Sequence, residues 1–179
     1  MSLTSDIAVY RYGAPSIHQP IEYPIGKGAS GQTLYRNSVA LISGGTTVTQ
    51  GYLKNAASPA TNDIVVGLVG DYGPSCGQPN TVPGLGGTVL NTADGVLTAN
   101  VETGTFLLLS GTGADAITVT NVGETCYLIN ENTAGATNPG GNTRCAAGLV
   151  VQVPATDASI PTGYVAVQLG TENTPWGGV

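Results

Sequence analysis

Residues 91–120 read NTADGVLTANVETGTFLLLSGTGADAITVT, and this stretch decides the fold class. Two runs rich in β-branched and apolar residues, 96–101 and 105–109, are separated by a short segment that contains a glycine. Asp94 and Gly95 form a tight-turn dipeptide just before the first run. Such runs, bounded by turn residues and without helical periodicity, predict consecutive β-strands.

The rest of the chain repeats this pattern of short apolar runs between Gly, Asn, Asp and Pro clusters. The predicted strands cover residues 38–42, 46–50, 64–69, 87–90, 96–101, 105–109, 116–120, 125–130, 144–153 and 164–169. Many short strands at this spacing are typical of barrels and sandwiches. We therefore predict an all-β fold, either a small antiparallel β-barrel or a jelly-roll-like sandwich, with an extended N-terminal arm.

The sequence also contains a weak internal repeat. Residues 52–55 (YLKN) and 66–69 (VGLV) resemble residues 127–130 (YLIN) and 147–150 (AGLV) in the same order. The spacing drifts between the two copies, so the repeat is either a duplication or a coincidence in a compositionally simple sequence. A duplication predicts two similar strand–turn–strand units.

Proline content separates the N-terminal segment from the rest of the chain. The sequence predicts three regions: an extended arm over residues 1–30, a β-barrel domain over 31–170 and a C-terminal tail over 171–179. Pro15, Pro20 and Pro24 favour an extended backbone and remove hydrogen-bond donors.

The arm and the tail also carry apolar side chains that could bind a partner. The candidate partner-binding residues are Ile7, Val9, Tyr10, Tyr12, Ile17, Ile21 and Tyr23 in the arm, and Trp176 in the tail. An arm with such anchors suits a strap that orders on a partner, and tryptophan is frequent at interface hot spots. The alternative is that these side chains cover the protein's own barrel.

Composition excludes several classes of function. Only 9% of the 179 residues are charged, against about 25% in an average soluble domain, and the single histidine is His18. The net charge of −6 argues against binding nucleic acid or an anionic membrane, since both need clustered Lys and Arg. The apolar runs are too short to span a bilayer, and the first residues show no secretion signal.

A search for reactive groups gives no enzyme site, so we expect no catalytic residue, no cofactor and no metal. The Gly-Lys-Gly segment at residues 26–31 lacks the spacing of a phosphate-binding loop. Cys76, Cys126 and Cys145 form no metal-binding pair, and Cys126 and Cys145 are either free thiols or a cross-strand disulfide. The carboxylates weighed as an acid–base pair are scattered: Asp63, Asp71, Asp94, Glu102, Asp115, Glu124 and Glu131.

Several short motifs occur in a fixed order along the middle and C-terminal part of the chain. They are residues 31–36 (GQTLYR) with 39–41 (VAL), 65–69 (VVGLV), 102–106 (ETGTF), 115–118 (DAIT) with 122–127 (VGETCY), and 147–153 (AGLVVQV). In this order they resemble the capsid cement, or decoration, proteins of tailed bacteriophages. The resemblance covers residues 31–169 and leaves out the arm and the tail.

This resemblance implies a β-barrel protein bound to the outside of an icosahedral phage head. The expected partners are the major capsid protein and further copies of the chain, as a homotrimer or alternatively a homodimer. The expected location is the exterior of the virion, and the host cytoplasm during assembly. The alternative function is a receptor- or glycan-binding β module of a phage fibre or tail, for which Tyr72 beside Asp71 is the only hint.

Overall fold

The computed structural model describes residues 21–27, 34–35, 37–45, 48–72 and 93–169, whose regular secondary structure is nearly all β-strand. The strands are β1 (Ile21–Pro24), β2 (Val39–Ile42), β3 (Leu53–Lys54), β4 (Ile64–Tyr72), β5 (Thr98–Glu102), β6 (Gly104–Ser110), β7 (Thr125–Asn130), β8 (Thr133–Gly135), β9 (Ala146–Gln152) and β10 (Tyr164–Leu169). Two short 3-10 helices, Gly113–Asp115 and Val119–Asn121, lie between β6 and β7. The predicted all-β class and the barrel are confirmed.

The strands form two five-stranded units. Unit 1 is a sheet in the order β1-β5-β4-β2-β3, whose two edges meet at a single parallel bridge between Ile25 and Leu53. Unit 2 is a closed barrel in the order β10-β6-β8-β7-β9. Its β6 and β8 are parallel and its other neighbours are antiparallel, so the barrel is not purely antiparallel.

The two units have the same topology and the same register. Each strand of unit 1 corresponds to the strand five positions later in the chain, and the Ile25–Leu53 bridge corresponds to the parallel pairing of Ser110 with Ala134. The β2–β4 ladder shifts register after Ala40, and the β7–β9 ladder shifts at the corresponding place, after Cys126. The chain is therefore an internal duplication at the level of structure.

Gly67 in β4 and Gly148 in β9 show why part of the repeat is visible in the sequence. Their φ angles are 149° and 155°, a region that residues with a side chain rarely adopt. A Cβ at Gly67 would lie 2.2 Å from the carbonyl oxygen of Glu102, and a Cβ at Gly148 would lie 2.1 Å from that of Gln168. Both positions therefore require glycine for the same backbone contact.

The structure corrects the other half of the sequence repeat. The segments 66–69 and 147–150 do correspond, because Gly67 pairs with Ala40 and Gly148 pairs with Cys126. The segments 52–55 and 127–130 do not correspond, because 53–54 form β3 and 127–130 belong to β7. In the register of the two units, β3 matches β8 and β7 matches β2.

Most predicted strands agree with the structure, with some corrections. The predictions for 125–130 and 164–169 match β7 and β10 at both ends. Residues 48–50 of the predicted strand 46–50 are turn and coil, and residues 119 and 120 of the predicted strand 116–120 belong to the second 3-10 helix. Three short strands, β1, β3 and β8, were not predicted, and the predicted strand 87–90 lies outside the described residues.

Unit 1 packs the outer face of β2 and β4 against unit 2. This unit-1 face consists of Val39, Leu41, Val65 and Leu68, which are 0 to 5% exposed and belong to one hydrophobic cluster with the side chains of the barrel. Neighbouring positions of β2 and β4 point the other way, into the separate core of unit 1, whose buried members include Ala40, Val66 and Val69. One unit therefore buries an outer sheet face on the other.

The contact on unit 2 is at one end of its barrel. This unit-2 end is formed by Glu131, in the turn between β7 and β8, together with Asn142 and Cys145, before β9. The N–H of Val39 donates a 2.7 Å hydrogen bond to the carbonyl of Glu131, and the Thr61 hydroxyl donates to the carbonyl of Asn142. The unit-1 face and the unit-2 end together form the interface between the units.

Candidate functional site

The candidate partner-binding residues fall mostly outside the described part of the chain. Ile7, Val9, Tyr10, Tyr12, Ile17 and Trp176 are not among the described residues. Ile21 and Tyr23 lie in β1, which pairs with β5, so residues 21–24 of the predicted arm belong to the folded body. Tyr23 packs against the core of unit 1, whereas Ile21 is 46% exposed.

A buried ion pair joins Lys54 in β3 to Asp63 at the start of β4. The Lys54 Nζ lies 2.7 Å from Asp63 Oδ2, and the two side chains are 3% and 0% exposed. The backbone N–H groups of Gly44 and Ala60 donate to Asp63 at 2.9 and 2.7 Å, and Lys54 also donates to the carbonyl of Ser58. Because each charge has several partners, the pair fixes the loop between β3 and β4.

Unit 2 has an ion pair near the corresponding loop, but with the charges exchanged. The residue before β4 is the anion Asp63, and the residue at the corresponding position before β9 is the cation Arg144. Arg144, which precedes β9, binds Asp115 with two hydrogen bonds of 2.7 and 3.1 Å. Thr137 also donates to Asp115, and the guanidinium of Arg144 donates to the carbonyl of Thr137. The Arg144 hydrogen bonds, followed by the one from Thr137, lower the pKa of Asp115 below its ordinary value. These contacts hold the loop between β8 and β9 on the 3-10 helix that contains Asp115.

Asp94 links the backbone at Lys27, which follows β1, to the loop between β2 and β3. The backbone N–H of Lys27 donates to Asp94 at 2.5 Å and the Thr49 hydroxyl donates at 2.6 Å. The Lys27 hydrogen bond is the main reason that the pKa of Asp94 is lowered. Gly95 adopts φ of 76°, as expected for the predicted turn.

The structure leaves the two described cysteines as buried free thiols. Burial raises the pKa of Cys126 to about 12, and it raises the pKa of Cys145 to about 12, to which the nearby Asp63 carboxylate adds. The thiolate is the nucleophilic form of cysteine, so neither group is reactive at neutral pH.

Five of the seven carboxylates weighed as an acid–base pair lie in separate contacts. Asp63, Asp94 and Asp115 each bind different partners in different loops. Glu124 accepts a 3.2 Å hydrogen bond from the Asn121 side chain, and Glu131 is buried at the unit-2 end. Among the described residues, no group of three or more His, Cys, Asp or Glu side chains is placed to hold a metal ion.

Several apolar side chains lie on the surface. Val119 and Val122 are 52% and 37% exposed beside the second 3-10 helix, where the side chain of Asn121 accepts hydrogen bonds from the backbone and hydroxyl of Thr118. Ile64 and Val96, in unit 1, are 44% and 50% exposed. The described surface therefore carries exposed apolar side chains at scattered positions.

Comparison with protein-family models, with curated proteins and with solved structures finds no match. Within the described ranges, no helix has the length and apolar character needed to cross a membrane. Asp71 and Tyr72, the hint of a glycan site, are the last two residues of β4.

Sequence reasoning missed the two ion pairs that fix the loops. Lys54 and Asp63 are nine positions apart and Asp115 and Arg144 are 29 apart, so no local spacing joins them. The sequence did contain a weak signal for the first pair. Lys54 is one of only five Lys and Arg residues and follows apolar residues in a strand-like run, and a buried lysine needs a partner of opposite charge.

Proposed function

We propose that the protein decorates the outer surface of an icosahedral phage head and stabilises contacts between major capsid subunits, as a homo-oligomer. The observation that carries the proposal is the ordered series of motifs between residues 31 and 169. Two of them fall in corresponding strands of the two units: 65–69 lies in β4, and all of 147–153 except Val153 lies in β9.

The architecture is suited to a clamp because it is rigid and carries few charged residues. Two units share one hydrophobic cluster, and ion pairs fix a loop in each unit. A rigid body loses little conformational entropy when it binds. With few charges it forms few ion pairs that salt can weaken, and repetition of one modest contact over a symmetric shell adds avidity.

The proposal is tested by binding to shells assembled from the major capsid protein of the same virus. The full chain is expected to co-sediment with expanded shells and to raise the temperature at which they disassemble. Shells that bind no protein at saturating concentration contradict the proposal. Binding of host polysaccharide instead supports the alternative receptor- or glycan-binding function.

A deletion separates the role of the arm from that of the body. Removing residues 1–20 leaves β1 intact and is expected to preserve the fold while abolishing shell binding. Circular dichroism reports the fold and co-sedimentation reports binding. A truncated chain that binds normally rules out the strap, and one that unfolds shows that the arm covers the protein's own core.

A further inference from the structure

The duplication makes it possible to compare the same surface in two settings. The unit-1 face (Val39, Leu41, Val65 and Leu68) is buried against the unit-2 end. Register identifies the same positions in unit 2: Val39 pairs with Leu68 as Thr125 pairs with Leu149, and Leu41 pairs with Val65 as Tyr127 pairs with Ala146. We call Thr125, Tyr127, Ala146 and Leu149 the unit-2 face.

The unit-2 face is not buried within the molecule. Ala146 is exposed, and Thr125, Tyr127 and Leu149 are partly exposed. The face carries no charged side chain, so covering it removes no ion from water. The unit-2 face therefore corresponds in position to a surface that is an interface in unit 1, and its composition suits an interface. No described residue of its own molecule covers it.

The complementary surface is exposed on unit 1. The position that corresponds to Cys145 at the unit-2 end is Ile64, since each lies just before the matching pairs of β4 and β9. Cys145 is 2% exposed and Ile64 is 44% exposed. The turn between β2 and β3 corresponds to the buried Glu131 turn. Four of its described residues, Gly45, Thr49, Gln50 and Gly51, are exposed, whereas Ser43 and Val48 are buried. We call Ile64 and these four residues the unit-1 end.

We propose that the unit-2 face of one molecule packs against the unit-1 end of a second copy, and so repeats between molecules the interface that joins the units within each. The occupant follows from the structure, because the surface that the corresponding face already binds is the corresponding end. Such a contact is heterologous, with different surfaces on the two partners, and it closes into a ring or extends into a chain according to its rotation. This inference adds a surface to the proposed self-association and does not depend on capsid binding.

The contact between molecules is weaker than the one within a molecule. Thr125 and Tyr127 replace Val39 and Leu41, so less apolar surface is available for burial. Only Thr103 separates β5 from β6, so the units of one chain are held at a high effective concentration that separate molecules lack. We expect dissociation constants on the order of micromolar. Each molecule carries −6, so added salt screens the repulsion and strengthens association.

Sedimentation velocity of the full chain tests the contact from roughly 1 to 200 µM. The wild-type protein is expected to show a concentration-dependent increase in mass. Leu149→Lys on the unit-2 face and Ile64→Lys on the unit-1 end are each expected to weaken association at least about tenfold. Ala158→Lys adds the same charge at an exposed position in the loop before β10, away from both surfaces, and is expected to associate like the wild type.

A mixture of the two defective variants distinguishes a heterologous contact from a symmetric one. The Leu149→Lys variant keeps an intact unit-1 end, and the Ile64→Lys variant keeps an intact unit-2 face. Their mixture is therefore expected to form a one-to-one complex that neither forms alone. Circular dichroism verifies that both variants are folded, and Tyr127→Ser provides a second unit-2 variant without an added charge.

Three results would overturn the proposal. One is a wild-type protein that stays monomeric over the whole concentration range. Another is a Leu149→Lys variant that associates as strongly as the Ala158→Lys control. The third is a mixture that stays monomeric while both single variants are folded, because this means that the two surfaces do not bind each other. None of these results bears on shell binding, which is measured separately.

Discussion

Replacing Gly148 by alanine tests the claim that a backbone contact makes glycine necessary in β9. The Cβ that alanine adds would lie 2.1 Å from the carbonyl oxygen of Gln168 and 3.2 Å from a side-chain carbon of Val167. Ordinary C···O contacts are no closer than about 3.3 Å. Strand β10 must therefore move away by about 1 Å, at the ladder that closes the barrel.

The cost of Gly148→Ala has two parts. A φ of 155° is accessible to glycine and strained for alanine, at about 1–3 kcal/mol. Forcing the extra carbon into a packed sheet adds about 1–3 kcal/mol. We therefore expect a loss of about 2–6 kcal/mol, a large part of the stability of a typical domain.

Two other glycines provide matched controls for the same substitution. Gly163 has φ of 85° and no atom within 4 Å of its added Cβ, so Gly163→Ala is expected to cost only about 1–2 kcal/mol of backbone strain. Gly140 has neither a positive φ nor a close neighbour, so Gly140→Ala is expected to stay within about 0.5 kcal/mol of wild type.

Urea unfolding followed by circular dichroism measures all three variants. The expected order of midpoints is Gly140→Ala highest, Gly163→Ala intermediate and Gly148→Ala lowest, with similar slopes. The reasoning is refuted if Gly148→Ala is as stable as Gly163→Ala. Gly67→Ala in β4 is expected to repeat the Gly148 result, because its Cβ would meet the Glu102 carbonyl at 2.2 Å.

Three further predictions concern buried and paired groups. The pKa of Asp115 is lowered by folding, so its stabilisation is present above the ordinary aspartate pKa, about 3.9, and is lost as pH falls through the lower folded value. Asp115→Asn is expected to lower the free energy of unfolding by about 1 kcal/mol at neutral pH and to reduce the loss of stability in acid. If the curve of stability against pH is the same for the variant and the wild type, this prediction is contradicted. Lys54→Met leaves the Asp63 carboxylate buried without its cation and is expected to lower the free energy of unfolding by about 3 kcal/mol in urea titrations. An unchanged free energy of unfolding would mean that water solvates the carboxylate. In a variant whose other two cysteines are serine, Cys145 is expected to react with a thiol reagent only after unfolding, and rapid modification at pH 8 refutes its burial.

The sequence predicted the strands whose pattern is set by burial alone. Residues 125–130 largely alternate between core and surface, residues 164–169 form a mostly buried apolar run, and both strands were identified with their boundaries. β3 and β8 are only two and three residues long, too short to show a period. β1 was missed because its proline reads as a break, although a proline is accepted at the end of an edge strand.

The false strand at 116–120 has a specific physical cause. Its Ala, Ile, Thr and Val residues have the β propensity of a strand, but Asn121 binds the backbone and hydroxyl of Thr118 and so favours a 3-10 turn. Asp115, bound to Arg144, holds the start of the segment against the loop before β9. Contacts from 29 residues away override the local preference, and no sequence window contains them.

The duplication was only half visible because the constraints on its positions differ in kind. At Gly67 and Gly148 the constraint is the carbonyl of the next strand, which no other residue type tolerates, and here the two copies agree. At core positions the requirement is only an apolar side chain of suitable volume, which Ala40 and Cys126 meet equally well. Register in three dimensions, rather than letter identity, is therefore what relates the two halves.

The outer faces show what the two copies do not share. A duplicated unit that packs face-to-end always leaves one face and one end without an internal partner, whatever its sequence. In unit 1 the buried face is Val, Leu, Val and Leu, and in unit 2 the free face is Thr, Tyr, Ala and Leu. The free face has lost apolar area but has gained no charge, which suits a surface that is wet in the monomer and covered in an assembly. In a protein that stays monomeric, a charged residue on this face would increase solubility at no cost to an interface. The absence of charge on the unit-2 face is what Leu149→Lys tests, and Ile64→Lys tests the unit-1 end to which the face is proposed to bind.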